Sequence, residues 1–167
     1  VIHDYYQSLK QSEAVIPDNF YQSIFGRSSI VKTIPANTQL QMIHGIDKTI
    51  ILPNQSTVNI EEKIRYKDYS DFLIEITSNV ELNTPGWIEK ESLADYLVYF
   101  IQPTKTVYVM KFKDIQAEWR KHKLLWSMLF PTHTTYSRTS YGNIYTVKNI
   151  AIPFHALTSI PILKLQL

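Results

Sequence analysis

Two acids and a lysine stand out, because carboxylates and an ammonium group together can hold a divalent cation against a phosphate. Asp47 opens one expected strand, Glu61-Glu62-Lys63 forms an acid-x-lysine triplet on the next, and Glu75 lies in a third. The 13 residues between Asp47 and Glu61 suffice for an antiparallel return through the Pro53-Asn54-Gln55 turn, which would bring both acids to one level of a sheet. Strand alternation then puts Glu61 and Lys63 on one face, about 6.6 Å apart along the strand. Two carboxylates with space between them suit Mg²⁺, with Mn²⁺ as a substitute, since such hard cations take oxygen ligands and keep several waters. Lys63 could orient an attacking water or neutralise charge that grows on a phosphoryl group.

These residues need strands to carry them, and the pattern supplies strands. From Ser29 to Thr77 the chain is β-rich: SIVKTI, then QLQMIHGIDKTIIL as an extended segment broken by Gly45, then STVNIEEKIRY, then DFLIEIT. In STVNIEEKIRY, Val58, Ile60 and Ile64 point one way, and Asn59, Glu61, Lys63 and Arg65 the other. Short turns between these runs predict an antiparallel meander around the acids. Residues 1–30 read as helical: Tyr5, Leu9 and Ser12–Ile16 give a short apolar stripe, and Asp18 can cap a second helix, NFYQSIF, that stops at Gly26. Downstream, NVELNTPGWIEK is a loop, ESLADYLVYFI is a helix or a strand, and TKTVYVMKF is a strand. KDIQAEWRKHKLLWSML has helical period with Asp114 as its N-cap. The apolar tail, IPFHALTSIPILKLQL, adds a strand to the core or to a partner subunit.

The chain has 167 residues, 44% of them hydrophobic and 19% charged, which predicts one folded domain over 1–167 with no linker and no repeat. The net charge of +2 leaves any polyanion-binding surface to a local patch. The absence of cysteine excludes a disulfide framework, a thiolate metal site and a cysteine nucleophile. No apolar run approaches the roughly 20 residues that span a bilayer. VIHDYYQSLKQ lacks the regions of a signal peptide, so a cytoplasmic protein is the expectation. The start at Val1 rather than Met suggests a fragment, and a lost leader stays open.

The ordered set HGID, NIEEK, FLIE, PGW and ADYLVYF, within roughly residues 40 to 110, resembles the PD-(D/E)XK superfamily. These are the restriction-endonuclease-like nucleases, and the likeness is to small bacterial and phage members. The resemblance implies an α/β fold whose core is a mixed β-sheet flanked by helices, Mg²⁺ binding, and hydrolysis of phosphodiester bonds in DNA, with an endonuclease put ahead of an exonuclease. It implies Asp47 and Glu61 as metal ligands, the carbonyl of Glu62 as a further ligand, and Lys63 as the catalytic lysine. In the family a proline normally precedes the first acid, where this chain has Ile46, and the centre of the triplet is commonly apolar, where this chain has Glu62. Glu62 must therefore be paired, protonated or near the sheet edge. The opposite assignment, Glu62 as ligand and Glu61 in solvent, stays open.

Glu75, inside the apolar run FLIEI, is either a third acid of the site or the partner of Lys63 or Arg65 across a hairpin. His44 could touch a phosphate or serve the fold. For DNA, Arg120, Lys121 and Lys123 in WRKHK, Arg138 in YSRTSY, and Lys90 are the candidate phosphate contacts, each with a solvated surface role as its rival. A homodimer would suit cleavage of both strands of a duplex. Two other readings stay beside the nuclease. One is the same fold with a weak or inactive site, serving as a nucleic-acid-binding or interaction module. The other is an unrelated mixed α/β protein with a surface ion-pair cluster.

Overall fold

A computed structural model describes residues 2–4 (as backbone), 16–35, 38–139 and 141–167. The protein is mixed α/β, and it divides into two compact units, each assembled from separate stretches of chain. The first comprises Val1–Lys10, Tyr69–Lys90 and Asp114–Ile160, and the second Gln11–Asp68, Glu91–Lys113 and Pro161–Leu167.

The second unit carries the triplet. Its strands are β2 (Ile30–Thr33), β3 (Lys48–Ile51), β4 (Thr57–Arg65), β7 (Tyr96–Ile101), β8 (Thr106–Lys111) and β11 (Leu163–Gln166). They form a six-stranded sheet in the order β11-β8-β7-β4-β3-β2. The β4–β7 pairing is parallel and the β2–β3, β3–β4, β7–β8 and β8–β11 pairings are antiparallel, so the sheet is mixed. ESLADYLVYFI thus resolves as a strand, and the apolar tail adds an edge strand to this sheet.

Helix α1 (Asp18–Phe25) covers one face of the sheet. Its Phe20 and Tyr21 join Ile16, Ile50, Ile60, Val98, Phe100, Val107 and Val109 in one buried cluster. Alternation explains the sheet's share: Ile60 is buried and Val58 and Ile64 pack against the cluster, as the period-2 pattern of β4 required. Gly26 ends α1 as expected, with φ of +115° and its amide donating to the Gln22 carbonyl at 3.0 Å. Asp18 does not cap the helix. Pro17 holds the N-cap position and Asp18 lies in the first turn, where a carboxylate complements the helix dipole.

Two further expectations are corrected here. QLQM does not extend into β3: it forms one helical turn, α2 (Gln39–Met42), because the Thr38 hydroxyl caps it by accepting from the Gln41 amide at 3.3 Å. Nor do three consecutive strands make a meander. The β3–β4 hairpin forms, with Lys48 opposite Ile60, but the next strand, β5 (Asp71–Asn79), leaves for the other sheet. The place beside β4 goes to β7, whose continuous apolar run suits a central strand buried on both faces.

The first unit holds β1 (Ile2–Asp4), β5, β6 (Thr84–Pro85), β9 (Thr132–Arg138) and β10 (Ile144–Pro153) in the order β1-β9-β10-β5-β6. The expected helix over 1–30 therefore starts instead as a strand, paired in parallel with Tyr136–Arg138, while the stripe through Tyr5, Leu9 and Ser12–Val15 lies outside the described residues. Helix α3 (Phe112–Leu129) has the expected period: Ile115, Trp119 and Trp126 are buried. It begins two residues earlier than its expected cap, so Asp114 is a first-turn acid. Gly86, after Pro85, lies on the backbone of β5, where any β-carbon would strike the Glu75 carbonyl, and Trp87 follows as a buried core residue set edge-on to Phe72.

Candidate active site

Asp47 sits just ahead of β3 and is fixed through its backbone: its amide donates to the Ile60 carbonyl at 2.8 Å, and its carbonyl accepts from the Ile34 amide at 2.8 Å. Its side chain is fixed as well. Oδ2 accepts from the main-chain amide of Glu62 at 2.6 Å, and Oδ1 accepts from Gln41 Nε2 at 3.4 Å. The first acid is thereby held against the centre of the triplet.

Along β4 the triplet divides between two faces. Glu61 and Lys63 share the face away from the Ile60–Ile64 side, and their side chains form an ion pair. Glu61 is only 2% exposed, which removes the alternative that it stands in solvent. Its carboxylate lies against Gly45, in the space a side chain there would occupy, and Gly45 has φ of +63°. The HGID segment thus supplies both an acid and a recess for the second acid.

Glu62 faces the side of the sheet covered by α1. The Tyr21 hydroxyl donates to Glu62 Oε1, and Lys48, on the hairpin partner strand, is buried nearby with Nζ 3.2 Å from Thr33 Oγ1 and 5.7 Å from the centre of the Tyr21 ring. Burial raises the Glu62 carboxyl to about 7, although Lys48 and the Tyr21 hydrogen bond pull it the other way. Burial also pushes the Tyr21 phenol well above its ordinary value, with the Glu62 charge adding to the effect. The polar residue at the centre of the triplet is thus accommodated by a tyrosine and a lysine.

Tyr21, Lys48 and Gln41 are participants that the sequence reading missed. A signal existed for Lys48, since alternation from the buried Ile50 places it on the inner face. Tyr21 and Gln41 depend on where two short helices pack.

Glu75 belongs to the first unit, on β5, opposite Asn149 of β10, so the β4–β5 hairpin through which Lys63 or Arg65 would face it does not exist. The His44 carbonyl accepts from Ser92 Oγ at 2.8 Å and from the Leu93 amide at 3.3 Å, which ties the HGID turn to the approach to β7. Lys90, Arg120, Lys121, Lys123 and Arg138 all belong to the first unit. The Lys90 carbonyl accepts from Gln116 Nε2 at 2.9 Å, Lys123 lies 3.6 Å from Glu89, and Arg120, Lys121 and Arg138 are exposed.

The donor set in the second unit fits a hard divalent cation in kind: two carboxylates, Asp47 and Glu61, and the Glu62 carbonyl, all oxygen. Among the described residues no three His, Asp or Glu side chains gather at one point, so water would complete the shell of a cation held here. No helix among them is long and apolar enough to cross a membrane. No family model, curated protein or solved structure matches this chain.

Proposed function

We propose that this protein is a Mg²⁺-dependent DNA nuclease, acting as an endonuclease, whose second unit is a restriction-endonuclease-like core. The observation that carries the reading is the pairing of Glu61 with Lys63 on one face of β4 while the amide of the residue between them, Glu62, holds the Asp47 carboxylate. An acid-x-lysine strand with a fixed acid just ahead of its hairpin partner offers oxygen ligands for a hard cation and an ammonium group next to one of them, which suits phosphodiester hydrolysis.

In this reading Asp47 and Glu61 hold the cation with the Glu62 carbonyl. Mg²⁺, when bound, supplies Lewis-acid polarisation of the scissile phosphate. The Lys63 ammonium, now on Glu61, turns toward the attacking water and offsets the charge that builds on the phosphoryl oxygens. Burial of Glu61 places its interaction with Lys63 where charges interact strongly. Exposed Arg120, Lys121 and Arg138 are available for phosphate contacts that carry no sequence information.

A second reading, an inactive nucleic-acid-binding module of the same fold, draws on one observation: both acids already have protein partners, Asp47 the Glu62 amide and Glu61 the Lys63 ammonium. Incubation with plasmid and single-stranded DNA in Mg²⁺ or Mn²⁺ separates the two. Metal-dependent cleavage supports the nuclease, and binding without cleavage of any form supports the module.

A further inference from the structure

Helix α3 has two apolar faces. The inner one is buried through Ile115, Trp119 and Trp126. The outer one lies in the second half of the helix, within the first unit, and presents Leu124 and Met128 at 80% and 84% exposure, with Leu125 and Leu129 half exposed or more. Single exposed leucines are ordinary, but four large apolar side chains within six helical positions form a continuous patch, and such patches mark interaction surfaces. Residues four apart on a helix form ridges, and both ridges here have the same make-up: Arg120-Leu124-Met128 and Lys121-Leu125-Leu129, each a cation followed by two apolar groups.

Charge selects what covers this face. Arg120 and Lys121 are exposed at its N-terminal end, and the last turn of α3 contains no basic residue to complement the partial negative charge of a helix C-terminus. A second α3 laid antiparallel on the first supplies each half with what it lacks. With a two-fold axis between Leu124 and Leu125, Leu124 lies opposite Leu125 of the second copy, Lys121 opposite Met128, and Arg120 opposite Leu129. The leucines close the centre, the stems of the cations lie along apolar side chains, and their charged ends approach the C-terminal carbonyls of the other helix. Like charges stay apart. Lys121 and Arg120 lie about 10 and 13 Å along the axis from their counterparts at 1.5 Å per residue, beyond the Debye length of roughly 8 Å at physiological ionic strength. The face is thus complementary to itself, as a two-fold contact requires.

We infer that the outer face of α3 is a self-association surface, through which two copies of this chain form a symmetric dimer with their α3 helices antiparallel. Six residues a side is fewer than the roughly 20–30 of a standard interface, so the expected dimer is weak, with a dissociation constant in the micromolar range. The inference concerns the first unit and stands whether or not the second unit cuts DNA.

Sedimentation velocity of the full chain over a micromolar concentration series is the test, on wild type, Leu124→Glu, Met128→Glu and Lys121→Glu, with circular dichroism to establish that each is folded. Wild type should pass from monomer to dimer as concentration rises. Leu124→Glu and Met128→Glu should each weaken the dimer by about 10-fold or more. Lys121→Glu sets an acid against the C-terminus of the other helix and should weaken it too; should the apolar variants fail to fold, this one decides, and an unchanged dimer overturns the inference. The chain has no cysteine, so introduced cysteines report the register. Leu124→Cys, next to the two-fold axis, should cross-link to its counterpart on oxidation, and Lys121→Cys should not. The reverse result overturns the antiparallel arrangement. A dimer unaffected in Leu124→Glu and Met128→Glu is held by another surface and overturns the inference. So does a wild type that stays monomeric at every concentration; if it then floats with vesicles of anionic phospholipid and Leu124→Glu does not, the patch is a membrane contact instead.

Discussion

Asp47 Oδ2 accepts a 2.6 Å hydrogen bond from the main-chain amide of Glu62, so the first acid is positioned by the backbone of the strand that carries the second. This bond needs an acceptor but not a charge. Asp47→Asn, which retains a carbonyl oxygen, should therefore keep stability close to wild type, whereas Asp47→Ala should lose about 1–3 kcal/mol by leaving the amide unmet. Urea unfolding of the two variants measures the difference. Equal losses would show that charge, not the hydrogen bond, matters at this position.

Glu62 should make stability depend on pH in an unusual direction for a carboxylate. Its carboxyl stands at about 7 in the folded protein against an ordinary 4.5, so the folded state holds a proton that the unfolded state gives up. Its contribution is fully present below pH 4.5 and is lost as the pH rises through 7, by at most about 3 kcal/mol. Chemical denaturation of wild type and Glu62→Gln across pH 4 to 8 isolates the effect. The stability difference between them should change over this window, and a constant difference would count against a raised Glu62.

The cluster around Glu62 should be strongly coupled. Tyr21→Phe removes the hydroxyl that donates to Glu62 and should cost about 1–3 kcal/mol. Lys48→Met removes a buried cation that favours the charged form of Glu62 and should destabilise the protein while Glu62 remains, more at pH 8 than at pH 5. Replacing both Lys48 and Glu62, as Lys48→Met with Glu62→Leu, should recover most of that loss. A double variant no more stable than Lys48→Met alone would mean the two residues act independently.

Gly45→Ala should be damaging for two separable reasons. The positive φ of +63° disfavours any residue with a β-carbon by about 1–2 kcal/mol, and that carbon would overlap the Glu61 carboxylate. Pairing Gly45→Ala with Glu61→Gln or Glu61→Ala separates the two: relief by Glu61→Ala but not by Glu61→Gln identifies the steric part. Thermal melting provides the comparison.

The strand that carries the triplet was legible because alternation is a local property. Val58, Ile60 and Ile64 had to share a face, and Glu61 and Lys63 the other. Helix α3 was legible for the same reason, through Ile115, Trp119 and Trp126. The route of β5 was not, since the sequence from Asp71 fits a neighbour of β4 as well as a strand of another sheet, and the choice is made by pairing with β10. Helix α2 was missed because a four-residue turn has no period to read, and only the Thr38 cap marks it. The solution found for Glu62 was also hidden. Its need for a partner could be stated from alternation alone, but the partner, Tyr21, comes from an element 41 residues away.

The most direct test of the central proposal is cleavage of supercoiled plasmid in Mg²⁺ by wild-type protein beside Asp47→Ala and Lys63→Ala, each checked for folding. Metal-dependent nicking or linearisation that falls by about 100-fold or more in both variants is the expected result. Cleavage unchanged in both, or no cleavage of duplex, branched or single-stranded DNA by the wild-type protein in Mg²⁺ or Mn²⁺, would contradict it.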